Sequence, residues 1–353
     1  MIQSASEKQS DLKKRWERFR AGNPNVKIRE AAKALGTSEA ELLVTEIGAS
    51  VVRLNDKFAE LLQEFHTLGQ VMALTRNDAI VHERQGEFAN VEVFDAHGKM
   101  GLVLGEDIDL RIFFKNWHFG FAVTSEKGRG KLRSLQFFDI DGTAVHKVFL
   151  TAASDLAAYE KLVGKYRSDD QNQVIAISPK PAKPIEKADA EIDVAGFQKA
   201  WAEMKDTHDF FGMTIKFGVS RSQALRLADK KMAFQVSTES YQFVLEKSVQ
   251  RQLPIMIFVS SGGVIQIHTG EVENLTAARG WYNVLDEKFN LHIKQEEIAS
   301  AWVVKKPTSD GIVSSLEIFD KAGENVALFF GKRKPGNPEK AEWRKLLAAV
   351  QPI

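Results

Sequence analysis

The chain has 353 residues, enough for two or three domains, each able to bury a core without covalent staples. A hydrophobic share of 44% and a charged share of 27% are ordinary for a globular protein, and a net charge of +1 gives no global attraction to nucleic acid or an anionic membrane. There are no cysteines, which excludes disulfides, thiolate zinc sites, iron–sulfur clusters and cysteine nucleophiles.

The opening segment, MIQSASEKQSDLKKRW, lacks the apolar stretch of a signal peptide, and no later run approaches the roughly 18 apolar residues of a membrane span. The expectation is a soluble cytoplasmic protein. Leu12, Trp16 and Phe19 fall at helix spacing. IREAAKALGTSEAELLVTEIG (28–48) has the rhythm of a helix-turn-helix, with Gly36 in the turn and Ser38 as the cap. Its second helix carries Glu39, Glu41 and Glu46 and no basic residue, the reverse of a helix that faces phosphates. Structural packing is therefore the preferred reading of the pair, and a DNA-binding regulator is the alternative.

Further along, VEVF-DAHG and LQFF-DIDG read as strands running into hairpin turns. EKGRGKL (126–132) lacks the Walker spacing and reads as a basic hairpin turn. DIDG (139–142) hints at a calcium loop, but the glutamate such a loop needs is absent, Leu150 standing there, so it reads as a turn. Residues 167–196, with Pro179, Pro181 and Pro184 among lysines and small residues, read as an extended linker. Phe197, Trp201 and Met204 again fall at helix spacing, and IMIFV-SSGG-VIQIH and LEIF-DKAG again read as strands and turns. Helices first and strands after predict an α+β fold with antiparallel sheet.

The order repeats because the sequence repeats. Leu110 falls on Leu291, Val123 on Val304, Leu135 on Leu316, Phe138 on Phe319, Asp139 on Asp320 and Gly142 on Gly323, all at one offset. Upstream, at slightly different offsets, Trp16 falls on Trp201, Gly36 on Gly218 and Ser38 on Ser220, as short loop insertions would produce. The chain is thus predicted to be a tandem duplication: a first repeat over 1–166, a linker over 167–196 and a second repeat over 197–353.

No G-x-S-x-G elbow and no G-x-G-x-x-G dinucleotide fingerprint occurs. The eight histidines include no two within four residues, so no local multi-histidine metal motif exists. His82 and His97, in the first repeat, read as exposed loop residues. The copies differ after their first helix: AGNPNVKI stands in one and DTHDFFGMTI in the other, which places His208 beside Phe210 and Phe211. Two readings of His208 stand side by side. One is a partly buried structural histidine packed on aromatics. The other is a single nitrogen donor to the iron of haem, whose flat apolar ring suits aromatic walls.

At these residues the chain resembles the HemS-type cytoplasmic haemin transport and haemin-degrading proteins. The resemblance covers essentially the whole length and rests on W-x-x-M-K-D-T-H-D-F-F (201–211), S-R-S-Q-A-L-R-L (220–227), D-L-R-I-F-F (109–114), W-V-V-K-K-P-T-x-D-G (302–311) and F-F-G-K-R (329–333). It implies two repeats, each a large antiparallel sheet with N-terminal helices, and a haem cleft with the first repeat as distal wall. His208 would coordinate the iron. Arg111 would reach the opposite face as the candidate catalytic residue, stabilising negative charge at the sixth position, or would lock the closed cleft, and Phe113 would lie near it. Arg221, Lys306 (with Lys305 as an alternative) and Arg333 would meet the propionates or line the pocket, and Phe258 would pack on the ring. The sequence departs from the pattern at Phe330, where a tyrosine often precedes the glycine, and so loses a hydroxyl there. The function implied is that of a cytoplasmic protein of a bacterial haem-uptake system. It would accept imported haem and traffic it, or degrade it by haem-oxygenase-like or reductive ring opening to release iron. The partners implied are a haem-uptake transporter or a haem oxygenase in transfer. Without a dinucleotide fingerprint, electrons would come from a reductase or a diffusible donor.

Overall fold

A computed structural model describes residues 5–95, 99–127, 130–182, 184–334 and 336–353. His97 and the 128–129 tip of the turn expected at 126–132 lie outside the described residues. The chain forms two compact units. The first comprises 1–76, 83–181 and 261–266, and the second 77–82, 182–260 and 267–353. Each unit thus takes a short segment from the other's stretch of sequence.

The first unit opens with three helices, α1 (Ala5–Gly22), α2 (Ile28–Leu35) and α3 (Glu39–Val44). Gly36 ends α2 at φ +65°, the left-handed region that a residue with a Cβ enters at a cost. Ser38 caps α3 in a capping box: its hydroxyl accepts from the Glu41 amide, and the Glu41 carboxylate accepts from the Ser38 amide. The helix-turn-helix rhythm is therefore real, but Glu39, Ala40, Leu42, Leu43 and Val44 are all buried, so α3 has no free face to offer a DNA groove. Next come β1 (Val51–Arg53), α4 (Phe58–Gln63), β2 (Gly69–Arg76), β3 (Ile80–Gly86), β4 (Val91–Phe94), β5 (Met100–Leu104), β6 (Asp109–Phe113), β7 (Phe119–Lys127), β8 (Gly130–Phe138), β9 (Ala144–Ser154) and α5 (Leu156–Tyr166). The strands β1-β7-β8-β9-β2 form one antiparallel sheet in that order, and β4-β5-β6 form a meander. The core between sheet and helices gathers Phe58, Phe65, Trp117, Phe137 and Tyr159.

The second unit repeats the plan with α6 (Val194–Ala202), α7 (Asp209–Phe217), α8 (Arg221–Leu227), β10 (Ala233–Val236), α9 (Ser240–Gln250), β11 (Ile255–Ser260), β12 (Val264–Gly270), β13 (Leu275–Ala278), β14 (Trp281–Leu285), β15 (Phe289–Lys294), β16 (Ile298–Thr308), β17 (Gly311–Asp320), β18 (Asn325–Gly331) and α10 (Ala341–Ala348). Its sheet runs β10-β16-β17-β18-β11, and β13-β14-β15 form the meander. Even the register repeats. Ala122 faces Leu135 and Gln136 faces Lys147 in the first sheet, and Val303 faces Leu316 and Glu317 faces Leu328 in the second. One face of the second sheet packs Ile257, Leu316, Ile318 and Phe329 against α9 and α10. The other face supports α6, α7 and α8 through Phe197, Trp201, Phe210 and Val304.

Two expectations change. The stretch 167–196 contains long extended runs but is docked: Ile175 and Ile192 are buried, and α6 already begins at Val194. His82 is not an exposed loop residue. It lies on β3, fully buried against the ring of Phe289 at 5.0 Å, because the alternation of that strand turns it inward.

Candidate functional site

His208 stands at the start of α7, in a turn that ties itself together. Asp206 Oδ1 accepts the His208 amide at 2.8 Å and contacts ring Nδ1 at 2.6 Å. Asp209 Oδ2 accepts the amides of Lys205 and Asp206 at 3.0 and 2.9 Å. The backbone hydrogen bond from His208, followed by the one from its ring, holds the Asp206 carboxyl below its ordinary range. A carboxylate only accepts, so the nitrogen facing it is Nδ1–H, which leaves Nε2 as the nitrogen free to meet a ligand. The His208 side chain is 94% exposed, so the reading as a buried structural residue does not hold.

The two phenylalanines beside it part company. One residue is a turn of about 100° on a helix, so adjacent positions face different ways. Phe210 points into the unit, edge-on to Trp201 at 4.9 Å, whereas Phe211 is 72% exposed and Ile215, one turn on, 65% exposed. His208, Phe211, Gly212 and Ile215 lie along one side of α7, and nothing stands within 4 Å of a Cβ built on Gly212. Large apolar side chains left in water beside a free imidazole nitrogen make a surface suited to a flat apolar ligand with a metal centre.

Beneath α7 lies a buried ionic cluster. Arg221, the first residue of α8, grips Glu317 of β17 with Nε and Nη2 at 2.8 and 2.7 Å, and Lys306 of β16 reaches the same carboxylate at 3.3 Å. Ser315 also donates to it, at 3.1 Å. Burial opposes ionisation of Glu317, but Arg221 and Lys306 outweigh it and hold the carboxyl at about 2. Burial, together with the Arg221 charge, pushes Lys306 down to about 8 despite the pull of Glu317. At neutral pH two cations face one anion, and the residual positive charge lies against Phe210, with Lys306 Nζ 4.3 Å and Arg221 Cζ 5.0 Å from the ring centroid. Lys305 alternates to the other face of β16, where its Nζ lies 5.7 Å from the Phe234 ring centroid.

On the same sheet face, past the helices, Phe258 of β11 and Phe330 of β18 meet edge to face at 5.3 Å. Both are half-buried and, with Met256 and Leu328, form an apolar floor. Phe330 therefore contributes ring surface where a tyrosine would have added a hydroxyl. Arg333 binds Asp310 at 3.0 Å. The glycine of the F-F-G-K-R segment is structural: a Cβ on Gly331 would lie 2.6 Å from Trp343 Cγ.

In the first unit, Asp109, Arg111 and Phe113 share one half-buried face of β6, while Leu110 and Ile112 enter the core. Arg111 pairs with Asp109, whose carboxyl burial raises although the guanidinium opposes the shift. Strand register sets Leu102 opposite Arg111 and Met100 opposite Phe113, so this cation stands on an apolar strip.

The sequence profile of the haemin-degrading HemS.ChuX domain matches residues 36–166 and 218–350, once in each unit. The chain belongs to this family. Among HemS.ChuX relatives, the hemin transport protein HmuS of Yersinia pestis is 35% identical over 342 residues, 97% of each chain. The crystal structure of holo-PhuS, a heme-binding protein from Pseudomonas aeruginosa, matches with a TM-score of 0.95 at 44% identity, covering 98% of this chain and 99% of that one. ChuS, a heme-degrading enzyme from Escherichia coli O157:H7, matches with a TM-score of 0.88 at 33% identity, covering 98% of this chain and 100% of that one. The HemS.ChuX duplication and the α+β fold with antiparallel sheet are thus as the sequence predicts.

Sequence reasoning missed Asp206, Glu317 and Ile215. Asp206 was legible in D-x-H, where an aspartate can accept from the chain two residues on. Glu317 gave no signal, since a glutamate in alternation on a strand reads as solvated. No His/Cys/Asp/Glu cluster able to hold a bare metal ion occurs among the described residues, and none of their helices is long and apolar enough to cross a membrane.

Proposed function

We propose that this chain binds haem, with His208 Nε2 as the iron ligand, and serves haem uptake in the bacterial cytoplasm. The observation that carries the reading is the exposed His208 ring, fixed at Nδ1 by Asp206 and flanked by exposed Phe211 and Ile215. Burying those apolar side chains and a porphyrin face at about 25 cal/mol per Å² supplies the main drive for binding. The positive cluster of Arg221 and Lys306 over Glu317 favours an anionic ligand on that side of the unit, and the Phe258–Phe330 floor offers ring contact. Arg333, held by Asp310, is a further candidate for the propionates or the pocket lining in this reading. Arg111 is a further haem contact and the candidate catalytic residue, because its guanidinium is a permanent cation with N–H donors on an apolar strip beside Phe113.

Haem is cargo here, accepted on import, with a haem-uptake transporter or a haem oxygenase as the transfer partner. Ring opening to free the iron is the second half of the proposal, and it draws electrons from a reductase or a diffusible donor. Family membership and the likeness to holo-PhuS and ChuS support both halves. Haemin titration followed by absorbance tests the first: saturable growth of a Soret band at one equivalent is expected, and no spectral change would end it. Adding reductant in air tests the second. Loss of the Soret band supports degradation, and its retention leaves a carrier alone.

A further inference from the structure

Asp206 does more at His208 than close a turn. The side chains of the pair, 62% and 94% exposed, receive no support from core packing. Hydrogen bonds alone hold them, with Asp206 Oδ1 taking both the His208 amide and its ring nitrogen while Asp209 secures the backbone before it. An exposed imidazole ordinarily samples several rotamers and both tautomers, and each ligand-binding event must then select one. Here the selection is already made, with Nδ1–H on the carboxylate and Nε2 outward. A carboxylate that accepts the far N–H of a metal-ligating histidine also raises the basicity of the ligating nitrogen. Water weakens this bond in the free protein, and a ligand that covers the His208 edge excludes that water and strengthens it.

We propose that Asp206 is the positioning residue of the iron ligand: it presents His208 as the Nδ1–H tautomer and, through its charge, strengthens Nε2 as a donor that favours ferric over ferrous haem. The proposal rests on the reading of His208 as that ligand. A loop aspartate with a purely structural role would affect how much haem binds, but neither the strength of the iron–histidine bond nor the redox balance of what is bound.

The test uses the full chain loaded with haem, comparing wild type with Asp206→Asn, Asp206→Ala, Asp206→Glu and His208→Ala. The readouts are the iron–histidine stretching frequency of the ferrous complex by resonance Raman, the midpoint potential by spectroelectrochemistry, and the rate of haem loss to an apoglobin trap. Asp206→Asn, which keeps an acceptor oxygen but removes the charge, is expected to lower the stretching frequency and raise the potential. Asp206→Ala is expected to do both and to weaken haem binding by about 10- to 100-fold, the usual cost of losing such a partner. Asp206→Glu is expected to return the frequency and potential part of the way. If Asp206→Asn and Asp206→Ala keep the wild-type frequency and potential while His208→Ala abolishes the stretch, the role of Asp206 is overturned and the ligand stands. If His208→Ala keeps the stretch, the ligand itself is wrong, and the role of Asp206 falls with it.

Discussion

Arg221 and Glu317 form a two-point ion pair in the second unit, Nε and Nη2 against both carboxylate oxygens at 2.8 and 2.7 Å. The alignment that places Ser38 on Ser220 places Glu39 on Arg221, and Glu39 is also buried and paired, at 2.7 Å with Lys147. The charges are exchanged: the helix supplies the anion and the sheet the cation in the first unit, and the reverse holds in the second. Lys147 is not the counterpart of Glu317 but stands opposite Gln136, which is. The duplicated scaffold thus keeps a buried ionic tie between its third helix and its sheet while changing sign and strand. Burial of Glu39 opposes its ionisation, yet Lys147 and Arg29 still lower its carboxyl.

Removing the anion of the second cluster should be costly. Glu317→Gln leaves Arg221 and Lys306 facing each other without compensation, and a broken buried pair typically costs about 3–5 kcal/mol. Urea denaturation at pH 7 is expected to register a loss of that size, with part of it recovered in Glu317→Gln/Lys306→Met. A change under about 1 kcal/mol would mean that solvent already screens the cluster.

Acid should destabilise the protein in two stages. His146 is buried, its Nδ1 paired with the Thr75 hydroxyl at 2.9 Å, and burial pushes its pKa from 6.5 to about 3. A group whose folded pKa lies below its unfolded value stabilises fully above the unfolded value and loses that contribution as pH falls towards the folded one. Stability is therefore expected to decline from pH 6.5 downward through His146, and again from 4.5 towards 2 through Glu317. Denaturation midpoints across this range are the measurement. In His146→Asn the decline between 6.5 and 4.5 should flatten, and parallel curves for variant and wild type would contradict the assignment.

Gly331→Ala separates a motif glycine that packs from one that binds. The added methyl group would overlap Trp343, so a loss of about 1–3 kcal/mol is expected from overpacking. Haemin titration of the folded variant should match wild type. An unchanged melting temperature would contradict the packing role, and a selective loss of haem binding would assign the glycine to the site instead.

Much of this fold is legible in the sequence because both repeats carry the same local signals. Gly36 and Gly218 both end helices at φ +65°, Ser38 and Ser220 both cap the helix that follows, and LQFF and LEIF both enter tight turns at Gly142 and Gly323. The candidate site is less legible, because its parts come from alternation and long-range pairing. Phe210 and Phe211 read alike in sequence, but only the helix rotation sends one inward and leaves the other in water. The resemblance sends Arg221 and Lys306 to the propionates or the pocket lining, and nothing in it announces Glu317, 96 residues from the first and 11 from the second, which engages both. His82 reads as a loop residue because nothing local marks β3 as buried.

Arg111→Ala is expected to leave haem binding in place, since His208 lies on a different element and the apolar surfaces remain. Single-turnover absorbance with reductant should then show slower loss of the Soret band, or haem release to an apoglobin trap should quicken. Complete loss of haem binding would mean that Arg111 anchors the ligand in place of His208.

Whether His208 is the iron ligand is decided by haemin titration of wild type and His208→Ala side by side, followed by absorbance. A shifted Soret band and weakened affinity are expected in the variant, with the far-ultraviolet circular dichroism of both proteins the same. Identical spectra and identical affinity would contradict it.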